Sequence, residues 1–362
     1  MRLATLQYLR KLKVAIGIAS SQGGFPATDF SNLRCVFSIR RGDYQTPNAC
    51  DLRIFNASKN TANSMFSAFA AGVQDQAFQQ EFPLIAATGT NPDGTPAVDQ
   101  SATGVLVIQA GYEGNCGIVF TGNIKRVRLG RLDAKDSYID ITAADGDRFY
   151  NYSFMAQSLA AGSRPADDVQ AFLQYQAAGA AISQGYTPEL STNGRVRGQV
   201  FYGMIRDELR DFAKQNDVLW SIQDGALTLI PKASFVPGEV LTISPQTGLI
   251  GVPEQTQNGI IMRVLLNPSI KIGQRVFLQS NAINQYRYGL DLQSQTVNPM
   301  LSRSIKTSAD GTYYVMKADH VGDNRGNDWY TELTCLAVDA SIPINLAPQA
   351  AILPSAASIA QY

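Results

Sequence analysis

The sequence predicts a mainly β chain with α insertions. This is an α+β fold in which two antiparallel β-barrel or sandwich domains accompany a small helix–hairpin domain. Three observations predict it. Apolar and polar residues alternate with period two over 33–55 and 136–143. A helical stripe, Ile205, Leu209, Phe212 and Ala213, precedes two apolar runs around Asp224-Gly225, a strong short hairpin signal. Strand-like patterning then returns from 240 to 338. The length of 362 residues also exceeds what one core usually holds.

The elements follow in order. MRLATLQYLRKLKVAIGIASS has an apolar run too short, and too interrupted by Arg10, Lys11 and Lys13, to read as a signal peptide; it reads as a strand that pairs with another chain or domain. Leu33, Cys35, Phe37 and Ile39 point to one face, as do Leu52 and Ile54 against Asp51 and Arg53. Thr61 is placed to cap a helix through Phe69 or Val73. The Ala87–Thr103 loop, rich in Gly, Pro and Thr, is expected to be exposed and mobile. Strands follow at Gly104–Ala110 and Gly117–Val127, linked by Gly111-Tyr112-Glu113-Gly114, and then Asp136–Ala143. Composition shifts after Gly146 to an Ala/Gln-rich stretch, with Pro165 in a helix first turn and Val169, Phe172 and Leu173 as its stripe. Gly185–Gly198 is a polar loop. Met204–Lys214 is the clearest helix. Gly259–Leu266 and Gln274–Gln279 read as a hairpin-like pair around a specified loop, since Asn267-Pro268 stops the first run and Gly273 opens the second. Tyr313–His320 and Trp329–Asp339 are the last strands; from Ile342 the chain reads as an extended tail.

A formal net charge of zero and 45% hydrophobic residues fit a globular protein, and argue against a duplex nucleic acid as the main partner. No apolar run reaches the length of a membrane helix. Cys35, Cys50, Cys116 and Cys335 show no CxxC spacing, so zinc and redox motifs are absent; reduced, mostly buried thiols are expected, with one disulfide left open.

Catalytic vocabulary is sparse. His320 is the only histidine, so any Ser-His-Asp or Cys-His chemistry would need it; beside Asp319, at a strand end before a tight loop, it reads as a loop hydrogen-bonder. Glu113, Asp133, Asp136 and Asp145 are the candidate paired carboxylates of a glycosidase, but acids flanking β-turns commonly cap them. Asn91-Pro92-Asp93-Gly94 and Asp319–Asp328 carry oxygen ligands suited to calcium without EF-hand spacing, and read as Asx turns. Gly104–Gly122 contains no GxGxxG. Lys125–Arg131 is basic but offset by Asp133 and Asp136, which suits a solvated or subunit-facing edge.

Several blocks, in order, resemble the hub subunits of phage tail baseplates. They are Pro47-Asn48 with Asp51–Asn56, Gly111–Gly114, Phe120–Ile124, DSYIDITAADGD at 136–147, and Trp220–Gly225 after a helix. Gly248–Pro253, Leu265–Pro268, and His320 with Gly322–Gly326 complete the set. The resemblance spans about residues 30–340. It implies an N-terminal arm at 1–30, a tail-tube-like β-domain at 31–147, a helical and loop insertion at 148–199, a helix plus β-hairpin domain at 200–235, a second tail-tube-like domain at 236–341 and a tail at 342–362. It also implies a homotrimer whose six tube-like domains form a pseudo-sixfold ring. That ring would join the tail tube, or a tube-initiator protein, to the central spike. A tape measure protein is a further partner, and DNA only passes through the lumen. The expected location is the virion tail baseplate, assembled in the host cytoplasm, with no membrane partner. No catalytic, cofactor-binding or metal residue is expected, and no enzyme activity. The alternatives are another tube-like adaptor, such as a distal tail or secretion-system structural protein, and a cell-wall hydrolase, against which the missing acid–base constellation counts.

Overall fold

The computed structural model describes residues 9–19, 27–58, 89–90, 96–97, 103–177, 180–232, 234–256, 259–279 and 311–337. The helix expected from Thr61, most of the Ala87–Thr103 loop and the tail from Ile342 lie outside the described residues.

The chain opens with β1 (Arg10–Ala19), β2 (Ala27–Asp29), β3 (Cys35–Gly42) and β4 (Ala49–Phe55). The two-residue strands β5 (Gly89–Thr90) and β6 (Pro96–Ala97) pair with each other. Next come β7 (Thr103–Tyr112), β8 (Asn115–Arg131) and β9 (Ser137–Ala144). A mixed segment follows: α1 (Asp147–Tyr152), β10 (Phe154–Leu159), α2 (Pro165–Gln174), β11 (Ser183–Gln184), β12 (Gln199–Met204), α3 (Ile205–Gln215), β13 (Val218–Gln223) and β14 (Ala226–Pro231). The chain returns to β with β15 (Leu241–Ile243), β16 (Leu249–Thr256), β17 (Gly259–Leu265), β18 (Arg275–Leu278), β19 (Gly311–Asp323) and β20 (Trp329–Ala337).

The fold is α+β and dominated by antiparallel sheet, but the expected barrels are not formed. Among the described residues no sheet closes on itself. A single 13-stranded sheet instead runs β16-β17-β20-β19-β3-β4-β9-β8-β7-β1-β2, with β18 and β15 branching from β19. The branch has a local cause. The 13-residue strand β19 pairs through Gly311–Tyr314 with β18, then through Lys317–Asp323 with β3, and a register shift between Val315 and Lys317 separates the two halves. Where β1 and β7 meet the β19–β20 end, side chains make the contact that a closed barrel would make with a backbone ladder. The Arg10 guanidinium donates to the carbonyls of Asp323, Gly326 and Asn327 at 3.3, 2.6 and 3.0 Å. The Trp329 indole donates to the Gly111 carbonyl at 3.3 Å.

Alternation places the core as expected: Cys35, Phe37, Ile39, Leu52, Ile54, Ile139, Ile141 and Ala143 are all buried. They belong to one cluster with Val14, Leu106, Ile108 and Trp329, where Phe37 and Trp329 meet edge-to-face at 5.6 Å. A second cluster gathers α2, α3, β13 and β14 around Trp220, and a third gathers β17–β20 around Met262, Val276 and Leu333. Each fully buried large side chain contributes about 1.5–3 kcal/mol, so each cluster is a core in its own right.

Helix α3 buries the stripe Ile205, Leu209, Phe212 and Ala213, and Pro165 opens α2 with the Asp167 carboxylate accepting the Arg164 N–H. The hairpin expected at Asp224-Gly225 forms, with φ of 55° and 74°. The hairpin expected across Gly259–Gln279 does not. Both strands exist, but β20 and β19 lie between β17 and β18. The N-terminal strand pairs within the chain, with β7 along its whole length.

Candidate assembly surface

The residues with chemical potential serve the fold. His320 lies within β19 rather than at its end. It is buried, and Nδ1 bonds the Thr331 hydroxyl at 2.8 Å. Burial, reinforced by the charges of Arg41 and Lys271, pushes it down to about 3, so it is neutral at any ordinary pH. Asp133 accepts the backbone N–H groups of Lys135 and Asp136, Asp136 accepts the Asn56 amide, and Glu113 is exposed in the β7–β8 turn. Asp323 accepts the Arg325 N–H and pairs with Arg34 at 2.7 Å, an Asx turn rather than an ion site. Asn91–Asp93 lies outside the described residues. Among the described residues no group of three or more His, Cys, Asp or Glu is placed to hold a metal, and no helix is long and apolar enough to cross a membrane. All four cysteines are free thiols; Cys116 is exposed and the others buried.

Polar chemistry concentrates where the three cores meet, around the Asp224-Gly225 turn. The Asp224 carboxylate pairs with Arg41 at 3.0 Å and with Lys271 at 2.9 Å. Arg41 is 3% exposed and also donates to the Val119 carbonyl and to Gln223 Oε1. The Gly225 N–H donates to Asp145, the Asn48 amide to the Ile222 carbonyl, and the Gln223 amide to the Gly42 carbonyl, at 2.9, 2.9 and 2.7 Å. Burial alone would raise Asp224, but Arg41 and Lys271 hold it below the usual carboxylate range. Burial pushes Asp145 up to about 6, although Arg41 pulls the other way. Sequence reasoning missed this junction. Its one local signal is Arg41, which falls in phase with the inward Cys35, Phe37 and Ile39 and so carries a cation to the buried face.

The outer face of the sheet is continuous across the β3–β19 joint and charged in matched pairs. Arg263, Glu332, Asp319 and Arg40 lie in register on neighbouring strands, as do Arg53, Asp140 and Arg128. Ion pairs join Arg263 to Glu332, Lys317 to Asp319, Arg40 to Asp51 and Arg53 to Asp140, at 3.1, 2.6, 2.7 and 2.7 Å. The exposed pairs among them, Arg263–Glu332 and Arg40–Asp51, add little stability. Their effect is to leave a wet, nearly neutral surface. Lys125, in the basic run, pairs with Asp147 at 2.9 Å, while Arg126 and Arg128 are exposed.

Apolar surface is confined elsewhere. At the β16 edge Ile250 and Val252 are exposed on either side of Gly251, whose φ is 72°. Leu129 and Leu132 are exposed at the end of β8. The β10–β12 ribbon, which sequence reasoning also missed, turns Phe154, Val200 and Tyr202 outward. Edges that are unpaired among the described residues, and apolar strand ends of this kind, are surfaces suited to chain assembly.

A family model described as Baseplate hub gp41 matches residues 12–287. No curated protein matches the sequence. Among solved structures, the chain is similar in fold to the 43 kDa tail protein of prophage MuSo2 from Shewanella oneidensis. The two are 8% identical with a TM-score of 0.50, over 91% of this chain and 98% of that one. It is also similar to a chain of the Francisella PdpA–VgrG complex. There the identity is 8% and the TM-score 0.51, over 94% of this chain and 54% of that one, so it spans about half of that longer chain.

Proposed function

This chain belongs to the baseplate hub gp41 family of phage tail proteins, and from that premise we propose that it is a structural subunit of a trimeric, pseudo-sixfold hub joining the tail tube to the central spike. The observation that carries the reading is the shared sheet. One β core lies around Phe37 and Leu52 and another around Met262 and Leu333, and they are fused by β3–β19 pairing. Two such units per chain, repeated three times, present six faces to a sixfold tube and three identical chains to a threefold spike. The domain limits we propose are those inferred from sequence, 31–147 and 236–341 for the two β units with the helical and hairpin segments between them. To the first unit we add β1, because it pairs along β7 and Val14 lies in that core. The chain works as a building block rather than an enzyme, located in the virion tail after assembly in the host cytoplasm. Its partners are further copies of itself, the tube or its initiator, the spike and a tape measure protein.

The paired-charge face suits the wall of the lumen. Matched ion pairs neither hold nor strongly repel a passing polyanion. That face crosses seven strands, from β8 to β17. At about 4.8 Å per strand, three copies give a circumference of about 100 Å and a backbone-to-backbone bore of about 32 Å.

Mass photometry and negative-stain imaging of the chain, alone and with its spike protein, test the reading. Three-fold rings with a bore near that width are expected. Compact monomers in both samples would refute it, and six-fold rings would favour a tube-like adaptor instead.

A further inference from the structure

The segment between Asp147 and Pro231 has its own hydrophobic core, which shares no residue with either core of the sheet. Its attachment to the sheet is mainly polar and centred on one turn, with buried Ile230 against Gly273 as an apolar contact beside it. Asp224 reaches two cations on two different parts of the sheet unit, Arg41 on β3 and Lys271 in the loop between β17 and β18. Asp145 and Asn48 hold the neighbouring backbone at Gly225 and Ile222. The chain enters the segment through Gly146, at φ 69°. An added Cβ there would lie 2.7 Å from Ile222 Cδ1, so only glycine lets the backbone turn this close to the segment. Lys125 and Asp147 pair beside that entry point. Polar contact between separate cores is the arrangement in which bodies move relative to one another.

We propose that the Asp224-Gly225 turn is a latch, and that on its release the helix–hairpin body swings on the sheet about Gly146. The moving body carries the β10–β12 ribbon, so the latch sets where the outward Phe154, Val200 and Tyr202 are presented. The device belongs to the single chain and does not rest on the ring reading.

The clean perturbation is Asp224→Asn. Asparagine tolerates the left-handed backbone that this position needs, so the turn is kept and only the charge is removed. Asp217 supplies the matched control. It sits at φ 56°, and its partner Lys232 belongs to the exit of the same segment rather than to the sheet. Spin labels are placed at Ser191→Cys on the body and Lys135→Cys on the β8–β9 turn, both exposed, with Cys116→Ser removing the exposed native thiol. Double electron–electron resonance is expected to give one narrow distance distribution for the parent and for Asp217→Asn, and a broadened or shifted one for Asp224→Asn. Amide exchange in α3 and β13 is expected to stay as protected as in the parent. Identical distributions in all three proteins would overturn the latch, as would broadening in both variants. So would loss of protection throughout α3 and β13, since that would make the turn part of the body's own stability.

Discussion

Replacing Arg41 by methionine keeps the length of the side chain and removes its charge. The cost follows from what is left behind. Arg41 is 3% exposed, and its loss leaves the Asp224 carboxylate at 3.0 Å and the buried Val119 carbonyl at 3.2 Å without that donor. Breaking a buried ion pair by removing one member costs about 3–5 kcal/mol. The lower end applies, because Asp224 keeps Lys271 at 2.9 Å and is itself 31% exposed. The expected loss is therefore about 3 kcal/mol, or a fall of about 1 M or more in the urea midpoint. The two tryptophans make the assay specific. Trp220 is buried in the helix–hairpin core and Trp329 in the sheet core, so Trp220→Phe and Trp329→Phe leave one reporter for each. The Trp329 transition, which reports the sheet that carries Arg41, is expected to move to lower urea, while the Trp220 transition stays close to the parent's. A Trp329 midpoint shifted by less than about 1 kcal/mol would place Arg41 among ordinary surface cations and refute the reasoning.

Two further outcomes follow from single residues. His320 is held neutral, about 3 in the folded chain against about 6.5 when exposed, so its contribution is complete above pH 6.5 and lost as pH falls toward 3. At pH 5 the loss is about 2 kcal/mol, and thermal midpoints of His320→Gln between pH 7 and 5 should slope less steeply than the parent's; parallel slopes would exclude this residue as the source. Gly146→Ala forces a methyl group to 2.7 Å from Ile222 Cδ1 at a left-handed backbone angle, for an expected loss of about 2–3 kcal/mol by calorimetry. Partial rescue by Ile222→Val is expected, and a loss below about 1 kcal/mol would show that Ile222 simply moves aside.

Local pattern is legible in this chain; partnership is not. The alternation of Leu52 and Ile54 against Asp51 and Arg53 states which face is wet, because successive side chains leave a strand on opposite sides. It carries no information on which strand lies alongside. For that reason Gly259–Leu265 and Arg275–Leu278 read correctly as strands and wrongly as a hairpin: β19 and β20, which lie between them, come later in the chain. Closure failed in the same way. Whether β1 meets β20 through a ladder or through Arg10 is decided by residues more than 300 positions apart. The ribbon strand β10 escaped because its outward residues after Phe154 are Ala156 and Ser158, which give too little contrast to show period two. The junction was half-written in the sequence. Period two from Cys35 through Phe37 and Ile39 assigns Arg41 to the buried face. A buried guanidinium cannot shed its proton and must find acceptors. The sequence thus demands acceptors beneath β3, and only the fold brings Asp224, 183 residues along the chain, to be one of them.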